Sequence, residues 1–476
     1  MAFSLFNEGK PVAESSSYEA NHYLWEKYDP DHILVTAQHG GWVVLNKDEF
    51  DLLRFERVHE DNRLFTLLED KGIIITPRNR ERVINQTRTR YSHVWRGTSL
   101  HILVPTLRCN HKCVYCHAKS VPPDAKGYDM DEETARAVVD FIFQTPADDL
   151  MIEFQGGEPL MNFPIIKFIH QYATEVNKKH RKRVGFIVVT NITEMRPEIW
   201  EYFREHNIRI CSSLDGPKDL HDHNRIFPEK ESSYDEVIRM REVLVKELGN
   251  FSTLPTITKG SLGRAKDIID EYLKQNIPGI MSRNMNFAGF AKQTWDELGY
   301  TPDEFIKFWK EFFDYTIEVN KKGIKFVDSK ITFILRRILL NERRAFACWG
   351  APCGSLIGQI AYSYDGTIYP CDESRSFDAF RLGNVKTHTY RQVIEENKKY
   401  IGVTSCVATM CDNCVYSPYC GICTVFTYGA QGSIIPKLSM DYECKIRKAT
   451  METIFKKLIY SEEDRKVLLS WVYNRP

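Results

Sequence analysis

The sequence predicts an α/β chain: a partial (β/α)6 TIM-like barrel between an N-terminal winged-helix-like module and a cysteine-rich C-terminal domain. Short apolar runs recur at 101–107, 151–155, 185–190, 208–214, 253–258 and 279–285, with amphipathic helical stretches between them. Repeated strand–helix units build a parallel sheet, and six fall short of a closed eight-fold barrel. Ahead of them, residues 32–76 pattern as a hairpin with two short helices. Behind them, nine of the thirteen cysteines fall between Cys348 and Cys444.

A chain of 476 residues calls for roughly three domains. The pattern divides at 1–95 (the N-terminal module), 96–300 (the barrel), 301–345 (a helical bridge) and 346–476 (the cysteine-rich domain with a closing helix at 445–472). With 43% apolar and 27% charged residues the composition is that of an ordinary globular protein. The formal net charge is zero, so no broad basic field points to nucleic acid or an anionic membrane. No run approaches the roughly twenty apolar residues that span a bilayer. The first residues, MAFSLFNEGKPVAESS, lack a signal-peptide core, so a cytoplasmic location is expected.

In the module, Ile33–Ala37, the turn His39-Gly-Gly41 and Trp42–Leu45 read as a hairpin. Asn46 and Glu49 form a capping box opening a helix over Lys47–Phe55. Leu64, Leu67 and Leu68 stripe a second helix, stopped by Gly72 before Ile73-Ile-Ile75. In the barrel, Ala135, Val138, Val139 and Ile142 share one helix face, and Ile165, Phe168, Ile169, Tyr172 and Val176 another. Barrel chemistry gathers at the C-terminal ends of the strands. The loop after the first strand, Leu107-RCNHKCVYCHAKS-120, therefore opens on that face.

Thirteen cysteines, an odd number in a long chain, do not suit a disulfide framework. Thiolates are soft ligands for zinc, copper(I) or iron–sulfur clusters. Structural zinc asks for four closed ligands. Three thiols on one loop, Cys109, Cys113 and Cys116, instead fit a [4Fe–4S] cluster whose fourth iron stays open to a substrate or cofactor. His111 and His117 flank these cysteines and are expected to be solvated loop residues. Cys211, in an apolar strand, is expected to be a small core residue.

Here the chain resembles the radical S-adenosylmethionine (SAM) family, whose hallmark is a CxxxCxxC loop after strand one with an aromatic before the last cysteine, the place of Tyr115. The resemblance extends to Gly156-Gly157-Glu158-Pro159 after the second strand and Thr190-Asn191 after the third, where Ile192 replaces the usual glycine. It extends further to Ser213-Leu-Asp215-Gly-Pro217, His221-Asp222 and Asn224-Arg225. It implies that SAM chelates the open iron and is cleaved reductively to a 5′-deoxyadenosyl radical, which takes hydrogen from substrate. By the same resemblance Glu158 accepts from the SAM ammonium group, Ser213 and Asp215 lie near the ribose, and Arg225 faces the carboxylate. A flavodoxin- or ferredoxin-type reductant is implied, and a second maturase is an admissible further partner.

The C-terminal spacing Cys353-x12-Gly366-x4-Cys371, then Cys411-x2-Cys414-x5-Cys420-x2-Cys423 and Cys444, resembles the SPASM domain. That domain holds two auxiliary [4Fe–4S] clusters, three clusters in all for this chain. The resemblance assigns Cys348, Cys353, Cys371 and Cys423 to one cluster. It assigns Cys411, Cys414, Cys420 and Cys444 to the other. Cys406 is either inert or a substitute ligand, and a zinc ribbon over 411–423 is the competing metal reading. Asp372 follows Cys371, where relatives such as the anaerobic sulfatase maturases carry an acid that takes a substrate proton. A hydrogen bond to a thiolate is its other reading.

Residues 32–76 resemble the recognition modules of ribosomal peptide maturases, in which a leader peptide adds a strand to a sheet edge. The stretch Trp42-VVLNKDEFDL-Leu53 is most similar to the maturases of the His-Xaa-Ser system. The expectation is a radical SAM oxidoreductase that modifies a precursor peptide. A sulfatase-maturase-like enzyme and a non-catalytic iron–sulfur electron carrier are the alternatives.

Overall fold

A computed structural model of the chain describes residues 18–342, 348, 350, 353–405, 411–437 and 441–473. Cys406 lies outside the described residues. The chain divides into two compact units. The smaller holds the chain up to Tyr91 together with Arg337–Glu342 and Thr409–Tyr419, and the larger holds the rest.

The smaller unit is built on an antiparallel sheet of Tyr23–Asp29, His32–Ala37 and Trp42–Leu45, in that order. The hairpin read from sequence is present, and Tyr23–Asp29 adds a third strand. Helix Lys47–Arg54 opens with the Asn46–Glu49 capping box, and helix Arg63–Asp70 is capped by Asn62. Gly72 turns the chain at φ +65°, and Ile74–Ile75 then pairs with Glu19–Ala20. Leu53, Leu68, Val35 and Ile73 are fully buried in a core of the unit's own. The later segments are stitched into it. Thr36 Oγ1 donates to the Val415 carbonyl at 2.7 Å, Tyr28 and Tyr416 share a hydroxyl bond of 2.7 Å, and Trp42 Nε1 donates to the Ile338 carbonyl at 3.1 Å. Cys411 and Cys414 thus travel with the N-terminal module, a grouping that linear boundaries do not express.

In the larger unit Leu100–Thr106, Asp149–Gly156, Arg183–Val189, Arg209–Ser213 and Ser252–Leu254 lie side by side in parallel, in chain order. Between them run helices Glu132–Ile142, Phe163–His180, Pro197–Glu205 and Ser233–Leu248. Their apolar faces meet one side of the sheet in a core that includes Val138, Val139, Ile142, Ile152, Phe154, Ile166, Ile169 and Val188. The last apolar run contributes a brief strand, Gly279–Ile280, which pairs with Val327–Asp328, and a parallel bridge from Asn284 to Ile257. The opposite edge is extended by a strand from the cysteine-rich region. Gln359–Tyr362 lies parallel to Leu100–Leu103, and Thr367–Tyr369 and Gly383–Asn384 follow antiparallel. Buried His101, whose imidazole is driven down to about 3 by burial, meets the Tyr362 hydroxyl at 2.8 Å across that junction.

Helices Pro302–Lys321 and Ser329–Leu339 follow the sheet in the chain. The closing segment is two helices, Tyr442–Tyr460 and Glu462–Tyr473, interrupted at Ser461. Among the described residues no helix is long and apolar enough to cross a membrane.

Candidate active site

The four motifs stand at the C-terminal ends of four successive parallel strands. The cysteine loop follows Thr106, the double glycine ends the strand Asp149–Gly156, Asn191 follows Val189, and Ser213 ends the fourth strand. Chain order along a parallel sheet brings them together.

The two glycines explain how closely the second strand approaches the cysteine loop. Gly157 N donates to the Thr106 carbonyl at 3.0 Å and Glu158 N to the Arg108 carbonyl at 2.7 Å. A Cβ on Gly156 would stand 2.4 Å from the Thr106 oxygen, and one on Gly157 only 2.2 Å from that of Arg108. Gly156 also has φ +138°, a backbone that only glycine adopts freely. Pro159 opens a short 3-10 turn, where its missing N–H costs nothing.

Glu158 is 1% exposed. Its carboxylate accepts from Thr190 Oγ1 at 2.7 Å, Asn191 N at 2.8 Å and Leu160 N at 3.0 Å. Burial still pushes its pKa up to about 7. Asn191 reaches the cysteine loop through its amide, donating to Asn110 Oδ1 at 2.7 Å. Ile192 takes the left-handed backbone, φ +61°, that a glycine normally occupies, and it is fully buried.

The fourth strand end is organised around Asp215, which is 0% exposed. One carboxylate oxygen accepts from the Tyr115 hydroxyl at 2.5 Å and Asn224 Nδ2 at 3.2 Å. The other accepts from Arg225 Nη2 at 3.2 Å and Thr256 N at 3.0 Å. Four protein donors therefore engage Asp215, and it acts as the anchor of Arg225 and Tyr115. Arg225 lies over the Tyr115 ring at 5.4 Å. Its strand Arg225–Ile226 pairs with Lys112–Cys113, inside the cysteine loop. Ser213 is half-buried at its strand end, opposite Leu254.

Cys109, Cys113 and Cys116 are brought together. Burial pushes the Cys109 thiol well up, and the charges of Cys113, Glu158 and Cys116 add to it. Burial pushes Cys113 to about 12. Ionised thiols here need a cation. Among the described residues no three His, Cys, Asp or Glu side chains converge on a single ion. A cluster makes a different demand, because each thiolate binds its own iron. Next to these thiols, Arg225 Nε and both ring nitrogens of His111 are buried with no partner. Unmet polar atoms beside three thiols suit a polar ligand resting on the loop, so the residues fit a cluster with a bound cofactor.

The expectation for His111 is corrected, whereas the side chain of His117 is 34% exposed. His111 is 2% exposed, packs on Phe227 at 4.7 Å, and burial lowers its imidazole to about 3. His117 binds Asp372, Nε2 to Oδ2 at 2.8 Å. Although burial opposes its charge, the carboxylates of Asp372 and Glu373 raise it to about 9. Asp372 also accepts from Arg375 Nε at 3.0 Å and Nη2 at 2.5 Å. Burial works against its ionisation, but Arg375 and His117 together hold it well below the usual carboxylate range.

Of the cysteines assigned to one auxiliary set, Cys371 is buried, Cys353 and Cys423 are half-buried and Cys348 is exposed. The Cys371 thiol is driven up by burial and by the charges of Cys353 and Cys348. Cys423 is driven up by burial, by Glu443, and again by Cys353 and Cys348. Cys423 caps helix Thr424–Gln431 and accepts from Phe426 N at 3.4 Å, a helix start that favours a thiolate. Cys420 and Cys444 lie in this larger unit, and Cys211 is 6% exposed in its strand, as expected of a core residue.

Glu153 escaped the sequence reading. It sits on the second strand, its carboxylate bonded to the Gln155 amide, and burial raises it to about 7. The alternation of Glu153 and Gln155 with the fully buried Ile152 and Phe154 was the available signal, because it puts both polar residues on the face away from the helices.

Residues 103–298 match the model of the Radical SAM superfamily. The chain is 25% identical over 372 residues to the cysteine-type anaerobic sulfatase-maturating enzyme of Clostridium perfringens, covering 76% of this chain and 97% of the relative. The solved structure of native anSMEcpe with bound AdoMet and Cp18Cys peptide aligns with a TM-score of 0.65 at 22% identity, over 78% of this chain and 99% of that one. Streptococcus suis SuiB bound to precursor peptide SuiA aligns with a TM-score of 0.52 at 13% identity, over 88% of this chain and 98% of that one. These two structural likenesses speak for the fold.

Proposed function

The chain carries a radical SAM domain with SPASM-like features and is an enzyme of radical chemistry, and on that premise we propose that it matures a ribosomally made precursor peptide. The observation that carries this reading is the N-terminal unit. Its outer strand Tyr23–Asp29 is an edge of a three-stranded sheet. That edge presents Trp25, 48% exposed, against the ring of Phe50 at 5.0 Å. An edge strand with an aromatic beside it is what an added peptide strand uses: backbone bonds for affinity, a pocket for side-chain choice.

Cys109, Cys113 and Cys116 would hold the catalytic [4Fe–4S] cluster, which with SAM supplies the reductive cleavage that generates a hydrogen-abstracting radical. Arg225, braced by Asp215, has a buried Nε–H that would be available to the SAM carboxylate. Asn110 and Asn191 keep the cysteine loop fixed to the third strand end. Glu158 holds the second and third strand ends together and would face the SAM amino group, and Ser213 would lie near the ribose. Cys348, Cys353, Cys371 and Cys423 would hold one auxiliary cluster; Cys411, Cys414, Cys420 and Cys444 are the remaining ligand set read from the sequence. Asp372, with His117 and Arg375 on it, is the group that accepts a substrate proton. A flavodoxin- or ferredoxin-type protein supplies electrons.

The test uses the full chain, reconstituted with iron and sulfide and reduced with dithionite. SAM conversion to 5′-deoxyadenosine is followed together with the mass of a precursor peptide encoded beside the gene. Trp25→Glu should leave SAM cleavage intact while peptide binding and modification fall at least tenfold. Equal modification by the variant would end the recognition role. A second reading, action on a sulfatase, is favoured by the near-complete coverage of the Clostridium perfringens relative. Modification of a sulfatase-derived peptide, with none of the precursor, would establish it instead.

A further inference from the structure

The strand Asp149–Gly156 has two unlike faces. Ile152 and Phe154 pack under the helices and are fully buried, while Glu153 and Gln155 alternate onto the other face. The register sets Glu153 in one row across the sheet, with Tyr369, Ala361 and Ile102 to one side and Ile187 and Arg209 to the other. Residues paired in this way share a face. The two halves of the row differ in what covers them. Ile102, Ala361 and Tyr369 pack with Cys371, Phe380 and Val425, so the segment leading into Asp372 lies over the sheet there. Beyond Glu153, Ile187 and Val189 are only half-buried, although Phe186 and Val188 on the helix face are buried. A closed barrel fills this inner face with apolar layers; here it is a less covered floor with a carboxylate in it. Thr106 pairs with Gly156 where the cysteine loop begins, and Glu153 lies three residues, roughly 10 Å, below that end.

The Glu153 carboxylate has no cation of its own. Among the described residues its hydrogen-bond donor is the Gln155 amide, which leaves the second carboxylate oxygen without one. The guanidinium groups nearest in charge to it are engaged elsewhere. Arg283 Nη2 donates to Glu373 Oε1 at 2.6 Å, and Arg209 Nη2 rests against Met151 Sδ at 3.2 Å. An enclosed carboxylate without a partner costs stability, and a glutamine or leucine would serve the fold better. A basic group arriving from outside supplies the missing partner.

We propose that Glu153 selects the substrate: its free carboxylate oxygen takes a basic side chain of the precursor segment that enters the barrel, with Gln155 holding the carboxylate in place. The inference rests on the reading of the chain as a peptide maturase and names the chemistry of the residue it accepts. Glu153 is a specificity-determining residue. The contact is an ion pair, and no bond is made or broken at the carboxylate.

The experiment uses the full chain, reconstituted with iron and sulfide and reduced with dithionite. Its substrates are the precursor peptide encoded beside the gene and a series in which each Lys, Arg and His of that peptide is changed in turn to Gln. KM and kcat for peptide modification are measured for wild type and Glu153→Gln at matched iron content. One substitution in the precursor is expected to raise the wild-type KM at least tenfold, with a much smaller fall in kcat. E153Q should raise KM for the unaltered precursor to a similar extent. The two changes combined should cost no more than either alone, as befits partners in one contact. Additive losses, or an E153Q protein with the wild-type KM, overturn the proposal. Should E153Q fail to load iron, the peptide series on wild type decides: a single basic residue that governs KM supports the proposal, and a series in which none does overturns it. Wild-type protein that leaves the precursor unmodified overturns the maturase reading itself, and the proposal falls with it.

Discussion

The Tyr115 hydroxyl donates to Asp215 across 2.5 Å, a bond that closes a hundred residues of chain between the cysteine loop and the end of the fourth strand. Asp215 simultaneously holds Arg225, whose side chain is 11% exposed. Removing the two members should therefore have unequal consequences. Tyr115→Phe deletes one of four donors and is expected to cost about 1 to 3 kcal/mol. Asp215→Asn leaves a buried guanidinium uncompensated and is expected to cost about 3 to 5 kcal/mol. Thermal unfolding of the two variants tests the order. A Tyr115→Phe protein less stable than Asp215→Asn would mean that the charge of Arg225 is satisfied elsewhere.

Ile192 makes a second prediction. A β-branched residue at φ +61° carries roughly 1 to 2 kcal/mol of backbone strain. It persists because the side chain is fully buried beside Met195 and Ile199. Truncation to Ala loses the burial, about 2 to 5 kcal/mol, and keeps the strain. Truncation to Gly loses the burial and releases the strain. Ile192→Gly should thus melt above Ile192→Ala, the reverse of the ordinary ranking of these two residues in regular structure. The ordinary ranking would mean that the backbone relaxes once the side chain is gone.

What could be read from the sequence follows from how local each signal is. The CxxxCxxC loop, the double glycine and Asp215-Gly-Pro217 are contiguous, and parallel strands in chain order carried them to one end of the sheet. Cys353, Cys371 and Cys423 are far apart, but thiol spacing is sparse enough in a 476-residue chain to be noticed. His111 read as a solvated loop residue because loops run on surfaces; here Arg225–Ile226 pairs with Lys112–Cys113, and the loop is covered. Gln359–Tyr362 is too short to outweigh the cysteine-rich loops around it, and its partner strand lies more than 250 residues earlier. The strand Tyr23–Asp29 alternates too weakly, with Glu26, Lys27 and Asp29 obscuring the period of two.

His117 and Asp372 give a pH prediction whose sign is fixed by the direction of the shift. The imidazole is raised in the folded protein to about 9 from an ordinary 6.5, burial working against it and Asp372 for it. A group raised on folding stabilises the fold fully below its unfolded pKa and loses that contribution as pH climbs through the folded one. The melting temperature of wild type should therefore exceed that of His117→Gln at pH 6, and the gap should close between about 6.5 and 9. A gap that is constant across this range would show that the imidazole binds Asp372 in its neutral form.

Asp372 itself is the sharpest case, because its geometry serves two roles. Three bonds from His117 and Arg375 hold the carboxylate ionised, which keeps it ready to accept a proton but lowers its basicity. For it to act as the base, an incoming substrate must take the place of one of these partners, which weakens the clamp and restores basicity where the proton is released. Asp372→Asn would then leave 5′-deoxyadenosine formation and iron content as in wild type, while modified peptide falls by about two to four orders of magnitude. If the carboxylate only anchors its two partners, Asn, which still accepts from Arg375, should retain most of the modification. Parallel loss in Asp372→Asn and His117→Gln, together with loss of iron, would assign the pair to holding the loop beside Cys116 instead.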